Sequence, residues 1–192
     1  MPRPSRIEAY AIVSEDGMLA DANGVIPDAL KVEADQKFFH QGLARAVAVV
    51  QGRHSHEGGP PVSGRYRLIV TRKVANLAHD PSQPEAPPGR TLLWNPSGAT
   101  FQQAWTALGA PDGTLAVLGG PNVYGLFLGI GYDTFHLTRV PHVRLPGGRP
   151  VFPEIGPHRT PEDVLKTHGL KPGPQRMLDA ARNVTLVTWS RC

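Results

Sequence analysis

The chain of 192 residues contains one cysteine, Cys192, at its last position. That excludes a disulfide framework and a cysteine-based metal site. Aromatic residues make up 7% of the sequence, too few for a platform on which nucleic-acid bases stack. No apolar run approaches the length of a membrane span. The 20 Lys and Arg outnumber the 16 Asp and Glu, for a formal charge of +4, but they are scattered and never form a block. A nucleic-acid groove needs such a block; a modest positive excess suits an enzyme that binds an anionic cofactor. His54 and His56 are close, yet there is no H-E-x-x-H pattern, no G-x-S-x-G elbow and no Walker lysine. Metal chemistry and serine hydrolysis therefore rank below reduction, and no metal is expected. The segment MPRPSR lacks the apolar core of a signal peptide, which makes the cytoplasm the expected compartment. The length suits one domain over residues 1–192.

The most informative stretch is residues 114–124, TLAVLGGPNVY. A short apolar run ends in Gly119-Gly120, and Pro121 then opens a helical pattern. Glycine lets backbone approach a ligand, and proline suits the first helical position. The free N–H groups of such a helix favour an anion. Alone, a strand-Gly-Gly-helix turn is a weak signal. There is also no G-x-G-x-x-G near the N-terminus.

The rest of the chain alternates short apolar runs with helical patterns. Arg6–Val13 reads as a strand entering the core. Residues 14–17 read as a turn, and residues 18–30, punctuated by Asn23-Gly24 and Pro27, as a loop. Residues 33–43, EADQKFFHQGL, read as a helix. The runs 45–50, 65–70, Thr91–Trp94 and 115–118 read as strands buried on both faces, the mark of a parallel sheet. Residues 79–89, rich in proline, read as an irregular loop. Residues 98–108 place Phe101, Trp105 and Leu108 at helical spacing, and residues 123–128 continue as a helix. Residues 133–140 read as a strand, 141–156 as turns, 161–168 as a short helix and 183–190 as a closing edge strand, antiparallel to the rest. The class is α/β, with helices on both faces of a mostly parallel sheet. Ligands in such sheets lie beyond the carboxyl ends of the strands.

Two further turns reach that edge with ligand chemistry. Gly52-Arg53-His54-Ser55 offers cations and a hydroxyl at a helix start, which suits phosphate. Taken alone it reads as an exposed basic turn with a serine cap. Thr71-Arg72-Lys73 repeats the pattern on the next strand. Asp35 lies among apolar neighbours on the helix of residues 33–43, where a shielded carboxylate could hold a heterocycle and handle a proton. Periodicity alone favours the plainer alternative, a solvated position beside Gln36 and Lys37.

In order along the chain, these pieces resemble the dihydrofolate reductase superfamily, including the reductase domain of the riboflavin-pathway pyrimidine reductases. Asn23-Gly24-Val25-Ile26-Pro27 is similar to the family's loop before the substrate helix, and Asp35, ahead of Phe38 and Phe39, to its substrate-binding acid. Gly52-Arg53-His54-Ser55 and Thr71-Arg72 resemble its phosphate turns, and Gly119-Gly120-Pro121-Asn122-Val123-Tyr124 its turn beneath the pyrophosphate and nicotinamide. Phe135-His136-Leu137-Thr138-Arg139 resembles the strand whose threonine supports the acid, and Val151-Phe152-Pro153-Glu154-Ile155 a phrase that follows it. Asp28 departs from the aromatic that folate enzymes carry after the loop proline. Gly120-Pro121 and the 35–45 segment are closer to the riboflavin-type branch.

The resemblance implies a dihydrofolate reductase-like three-layer sandwich with an antiparallel C-terminal strand. It implies NADPH as hydride donor, held by Gly52, Arg53, His54, Ser55, Thr71, Arg72, Gly119, Gly120, Pro121, Asn122, Val123 and Tyr124, with the nicotinamide near Ala11 and Ile12. Asp35 would be the catalytic acid and Thr138 its support. The substrate would be a small heterocycle, pterin or ribosylaminopyrimidine-like, with no nucleic acid or membrane partner. A protein that keeps the fold and the dinucleotide site without turnover is the alternative. Riboflavin-type members tend to dimerise and folate-type members do not, so a homodimer stays open.

Overall fold

The computed structural model describes residues 3–54, 65–80 and 91–192. Its centre is a nine-stranded sheet with strand order β10-β11-β8-β1-β7-β3-β4-β6-β5. The strands in chain order are β1 (Arg6–Val13), β2 (Met18–Ala20), β3 (Ala46–Gly52), β4 (Tyr66–Val70), β5 (Leu77–His79), β6 (Thr91–Trp94), β7 (Thr114–Val117), β8 (Thr134–Arg139), β9 (Arg149–Pro150), β10 (Leu170–Asp179) and β11 (Val184–Arg191). The helices are α1 (Glu33–Ala44), α2 (Phe101–Leu108), α3 (Pro121–Ile130) and α4 (Pro161–Thr167). The contiguous strands β8, β1, β7, β3, β4 and β6 run parallel. Strand β11 joins β8 antiparallel, and β5 joins β6 antiparallel.

The apolar runs form the strands because each buries both faces. Ile7, Ala9 and Val13 of β1 pack with α2, α3 and α4 in the larger core, together with Leu115 and Val117 of β7 and Phe135 of β8. The alternate residues Tyr10, Val49 and Ala116 face the other way, toward Leu43, Phe38 and Phe39 of α1. Among the described residues the sheet thus has α1 on one face and α2, α3 and α4 on the opposite face.

Three local expectations are corrected. The loop of residues 18–30 contains β2, which pairs with β9 in a small separate sheet, and a 3-10 turn at Asp28–Leu30. The closing strand β11 is not the edge, because β10 lies outside it, paired antiparallel along its length. Pro172, Gly173 and Pro174 hide β10 from a strand reading, yet an edge strand tolerates prolines because its outer N–H groups need no ladder partner. The irregular loop of residues 79–89 begins inside β5, which ends at His79, and residues 81–90 lie outside the described residues.

Helices α2 and α4 each begin with a capping box, Thr100 with Gln103 and Thr160 with Asp163. Helices α1 and α3 have no side-chain cap. Of these four helices, the two that carry residues assigned to a site from sequence are the two without a side-chain cap. No helix among the described residues is long and apolar enough to cross a membrane.

Candidate active site at the carboxyl edge of the sheet

Strands β7, β3 and β4 are neighbours and parallel, so their carboxyl ends lie side by side. Those ends carry Gly119-Gly120, Gly52-Arg53 and Thr71-Arg72. With strands about 4.8 Å apart, the three turns span about 10 Å. Two of them are joined directly, since the Gly52 amide donates to the Gly119 carbonyl at 3.0 Å. Arg53 and His54 begin a helical turn, as expected, while Ser55 lies outside the described residues. Thr71 is buried, and its hydroxyl accepts the Lys73 amide at 3.1 Å. Arg72 beside it is exposed.

Within the Gly-Gly turn the first position admits only glycine, while a Cβ at Gly120 would meet nothing within 4 Å. Gly119 has φ +88°, and a Cβ there would stand 2.5 Å from the Tyr124 ring. The peptide bond between Gly119 and Gly120 is cis. Gly120 forms the N-cap of α3, Pro121 stands in the first turn, and no acid lies in that turn. The amides of Val123 and Tyr124 return to the Gly120 carbonyl at 3.0 and 2.9 Å. Asn122 is exposed at the helix start, while Val123 and Tyr124 are buried. The Tyr124 hydroxyl donates to the main-chain carbonyl of Tyr10, and Tyr132 donates to the carbonyl of Tyr124 at 2.9 Å. These bonds tie the first turn of α3 to β1, immediately before Ala11 and Ile12. Burial pushes the Tyr124 phenol well above its ordinary range, and the charge of Asp35 adds to that rise. Tyr124 is therefore a neutral donor at this junction.

Asp35 lies in the first turn of α1 and is half-buried, not on a solvated face. Burial raises its carboxyl above the ordinary aspartate value, and the hydrogen-bonding hydroxyl of Thr138 pulls the other way. Thr138 is 1% exposed and sits on β8 opposite Ile12 of β1. Among the described residues no cation stands beside this carboxyl to offset its desolvation. Ala11 is buried in the larger core and Ile12 is half-buried on the α1 face.

The sequence reading missed Tyr10, Glu8 and His136, which share the α1 face of β1 and β8 with this pair. Tyr10 lies opposite His136 in the strand register, one step from the Ile12–Thr138 pair. The period-2 alternation Glu8, Tyr10, Ile12 carries that signal, but the partner strand lies more than 120 residues away. Among the described residues no group of three or more His, Cys, Asp or Glu could hold a metal ion.

The architecture is that of a dihydrofolate reductase-like α/β sandwich. No family model matches the sequence, and no curated protein matches it. Solved structures do. A Shewanella sp. PV-4 protein provisionally named a riboflavin biosynthesis protein superposes with a TM-score of 0.68 at 18% identity, covering 97% of this chain and 99% of that one. An Enterococcus faecalis dihydrofolate reductase, complexed with NADP(H) and RAB-propyl, gives 0.61 at 17%, covering 97% and 96%. A diaminohydroxyphosphoribosylaminopyrimidine deaminase/5-amino-6-(5-phosphoribosylamino)uracil reductase from Thermotoga maritima gives 0.66 at 17%. That match covers 99% of this chain and 57% of the bifunctional protein.

Proposed function

We propose that the protein is an NADPH-dependent reductase that transfers a hydride to a small heterocycle, a pterin or a ribosylaminopyrimidine-like compound, and that it works as one dihydrofolate reductase-like domain. The observation that carries this reading is the meeting of two things at one sheet edge. Three glycine- or hydroxyl-bearing turns stand at adjacent strand ends, and a shielded carboxyl with a hydroxyl support stands beside them. The turns fit a dinucleotide. Gly120, where a Cβ would meet nothing within 4 Å, leaves room for close backbone approach, the uncapped start of α3 offers the Asn122 amide to a phosphate, and Arg72 and Thr71 offer a guanidinium and a hydroxyl to a second one. The bound dinucleotide supplies the hydride. The chain's own work is to place the acceptor and manage a proton. Asp35 binds N–H groups of the heterocycle when ionised and holds a proton beside it when neutral. Thr138 orients Asp35, and Tyr124 keeps the Gly-Gly turn fixed against β1.

Titration of the purified protein with NADPH, followed by nicotinamide fluorescence, tests the proposal. Saturable binding is expected, with NADPH preferred over NADH, and Arg72→Ala should narrow that preference by weakening NADPH alone. Absence of saturable binding up to tens of micromolar, on the order of common enzyme affinities, overturns it. Oxidation of NADPH with a panel of pterins and pyrimidines then separates a working enzyme from a binding protein.

A further inference from the structure

Helix α1 carries Asp35 but is not fixed by a cap at its start. Its apolar side packs on Tyr10, Val49 and Ala116 of the sheet, and Arg176 of β10 lies over the Phe38 ring at 5.7 Å, but Tyr10 meets the helix at successive points along its length. The ring of Tyr10 lies 5.9 Å from that of Phe38 and 5.8 Å from that of Phe39, centroid to centroid. One turn further along, Gly42 rests on the Tyr10 hydroxyl so closely that a Cβ would overlap Oη, Cζ and Cε1. At the helix end Arg45 reaches the same hydroxyl. The ring is held from the sheet side as well. His136 stacks on it at 4.7 Å and 23°, and Glu8 accepts its hydroxyl at 2.8 Å. Its carbonyl, through Tyr124, is tied to the Gly-Gly turn.

We infer that Tyr10 is a positioning residue, the seat on which α1 docks, and that it thereby sets where Asp35 stands against Thr138. The inference rests on the reading of Asp35 and Thr138 as the substrate-facing pair. Asp35 and Gly42 are two helical turns apart, about 10 Å along the axis. A packed helix moves as a unit, so a displacement at Gly42 is carried to Asp35. Thr138 belongs to β8 and stays with the sheet. Glycine inside a helix costs roughly 0.5–1 kcal/mol relative to alanine, so Gly42→Ala would stabilise a helix that had room. Here the added methyl meets the seat, and either the ring or the helix must yield.

The test is Gly42→Ala, with the Asp35 carboxyl titrated by carbon NMR on labelled aspartate. The groups that face Asp35 among the described residues are Thr138 of β8 and Tyr124 of α3. The expected result is a fall of the Asp35 pKa toward the ordinary aspartate value as water reaches it, with a folded spectrum. Tyr10→Leu should produce the same fall, and the double variant Gly42→Ala, Tyr10→Leu, in which the methyl has space, should lie closer to the native titration than Gly42→Ala alone. Tyr10→Phe keeps the ring and should stay near native. An unchanged Asp35 titration in folded Gly42→Ala overturns the inference. Should that variant not fold, an unchanged titration in Tyr10→Leu overturns it instead. NADPH titration of the native protein is run beside these. A native protein that ignores NADPH removes the functional reading while the Asp35 titration still decides the seat.

Discussion

Asp35 and Glu8 are both carboxylates held between α1 and the same face of the sheet, at opposite ends of strands β1 and β8. Glu8 is compensated. It pairs with Arg6, accepts the Tyr10 hydroxyl at 2.8 Å, and lies 4.0 Å from Nε2 of His136. His136 in turn has the Thr188 hydroxyl 3.0 Å from its Nδ1. Asp35 has a threonine hydroxyl beside it and, among the described residues, no cation, and its carboxyl is raised. The same two strands and one helix thus hold one carboxylate whose valences the chain fills and one whose valences it leaves. Compensated polar clusters fix a structure; a shielded, uncompensated acid at a sheet edge costs stability and, under the proposed function, is the group that meets the ligand.

The largest expected effect follows from that cost and from the role it serves. Asp35→Asn should lower turnover, measured as NADPH oxidation with an accepted heterocycle, by about 10²–10⁴-fold, the usual worth of an acid-base group, and leave NADPH affinity unchanged. It should also raise stability at neutral pH by on the order of 1 kcal/mol, read as a higher Tm. The sign follows from linkage. A carboxyl whose folded pKa is raised is a stability loss that grows as pH rises through that pKa, and asparagine removes it. A lower Tm at pH 7 would break the comparison, because Asp35 would then be a structural partner like Glu8.

At the other end the sign is reversed. Burial pushes His136 down to about 4, against the opposing pull of Glu8; Arg6 and Arg45 add to the fall. The ring is neutral in the native state. Below its ordinary value near 6.5 the unfolded chain takes up a proton that the native state resists. Stability should therefore fall as pH drops from 6.5 to 4, by on the order of 3 kcal/mol across that window. His136→Gln should flatten the loss, which urea unfolding at stepped pH would measure. An equally steep acid loss in the variant would assign it to other groups.

Glu8→Gln ranks next. It keeps the shape and removes the charge that faces Arg6. Breaking a fully buried pair costs about 3–5 kcal/mol. Arg6 is half exposed, its side chain 51% accessible, so about 2 kcal/mol is expected. NADPH binding should not change. A variant that loses NADPH affinity without losing stability would mean that the two ends are not separate.

How much of this is legible in sequence differs between the two ends. Strands β1 and β6 are read to the residue, because dense β-formers and apolar runs announce them. The three turns are legible as turns because glycine, or a hydroxyl with a guanidinium, stands at the end of each apolar run. Residue spacing says nothing of the Gly52–Gly119 hydrogen bond that joins two of them, since it depends on β3 lying beside β7. Asp35 is located, but its neighbours in sequence, Gln36 and Lys37, point to solvent. Its shielding comes from β8, a hundred residues later. The Glu8–Tyr10–His136 cluster is invisible for the same reason: β1 and β8 meet only through the sheet. Short strands such as β2, β5 and β9 carry no period, and β10 is masked by its prolines.

The smallest effect makes the sharpest contrast, because it uses one substitution at both ends. Thr138→Val and Thr188→Val each remove a hydroxyl and keep the shape. Thr188 serves His136 inside a filled cluster, so its loss leaves a buried ring nitrogen short of a partner and should cost about 1 kcal/mol. Thr138 serves an acid that is already desolvated, and its hydroxyl lowers the Asp35 pKa. Without it the carboxyl should rise further and be neutral over more of the pH range. The stability cost should again be about 1 kcal/mol, so unfolding does not separate the two variants. The pH profile of NADPH oxidation does. The limb that reports the Asp35 carboxyl, at which activity falls as the acid loses its proton, should move upward in Thr138→Val and stay in place in Thr188→Val. A limb that moves equally in both would mean that proton control at Asp35 extends down the strands to His136, and that the two ends form one network.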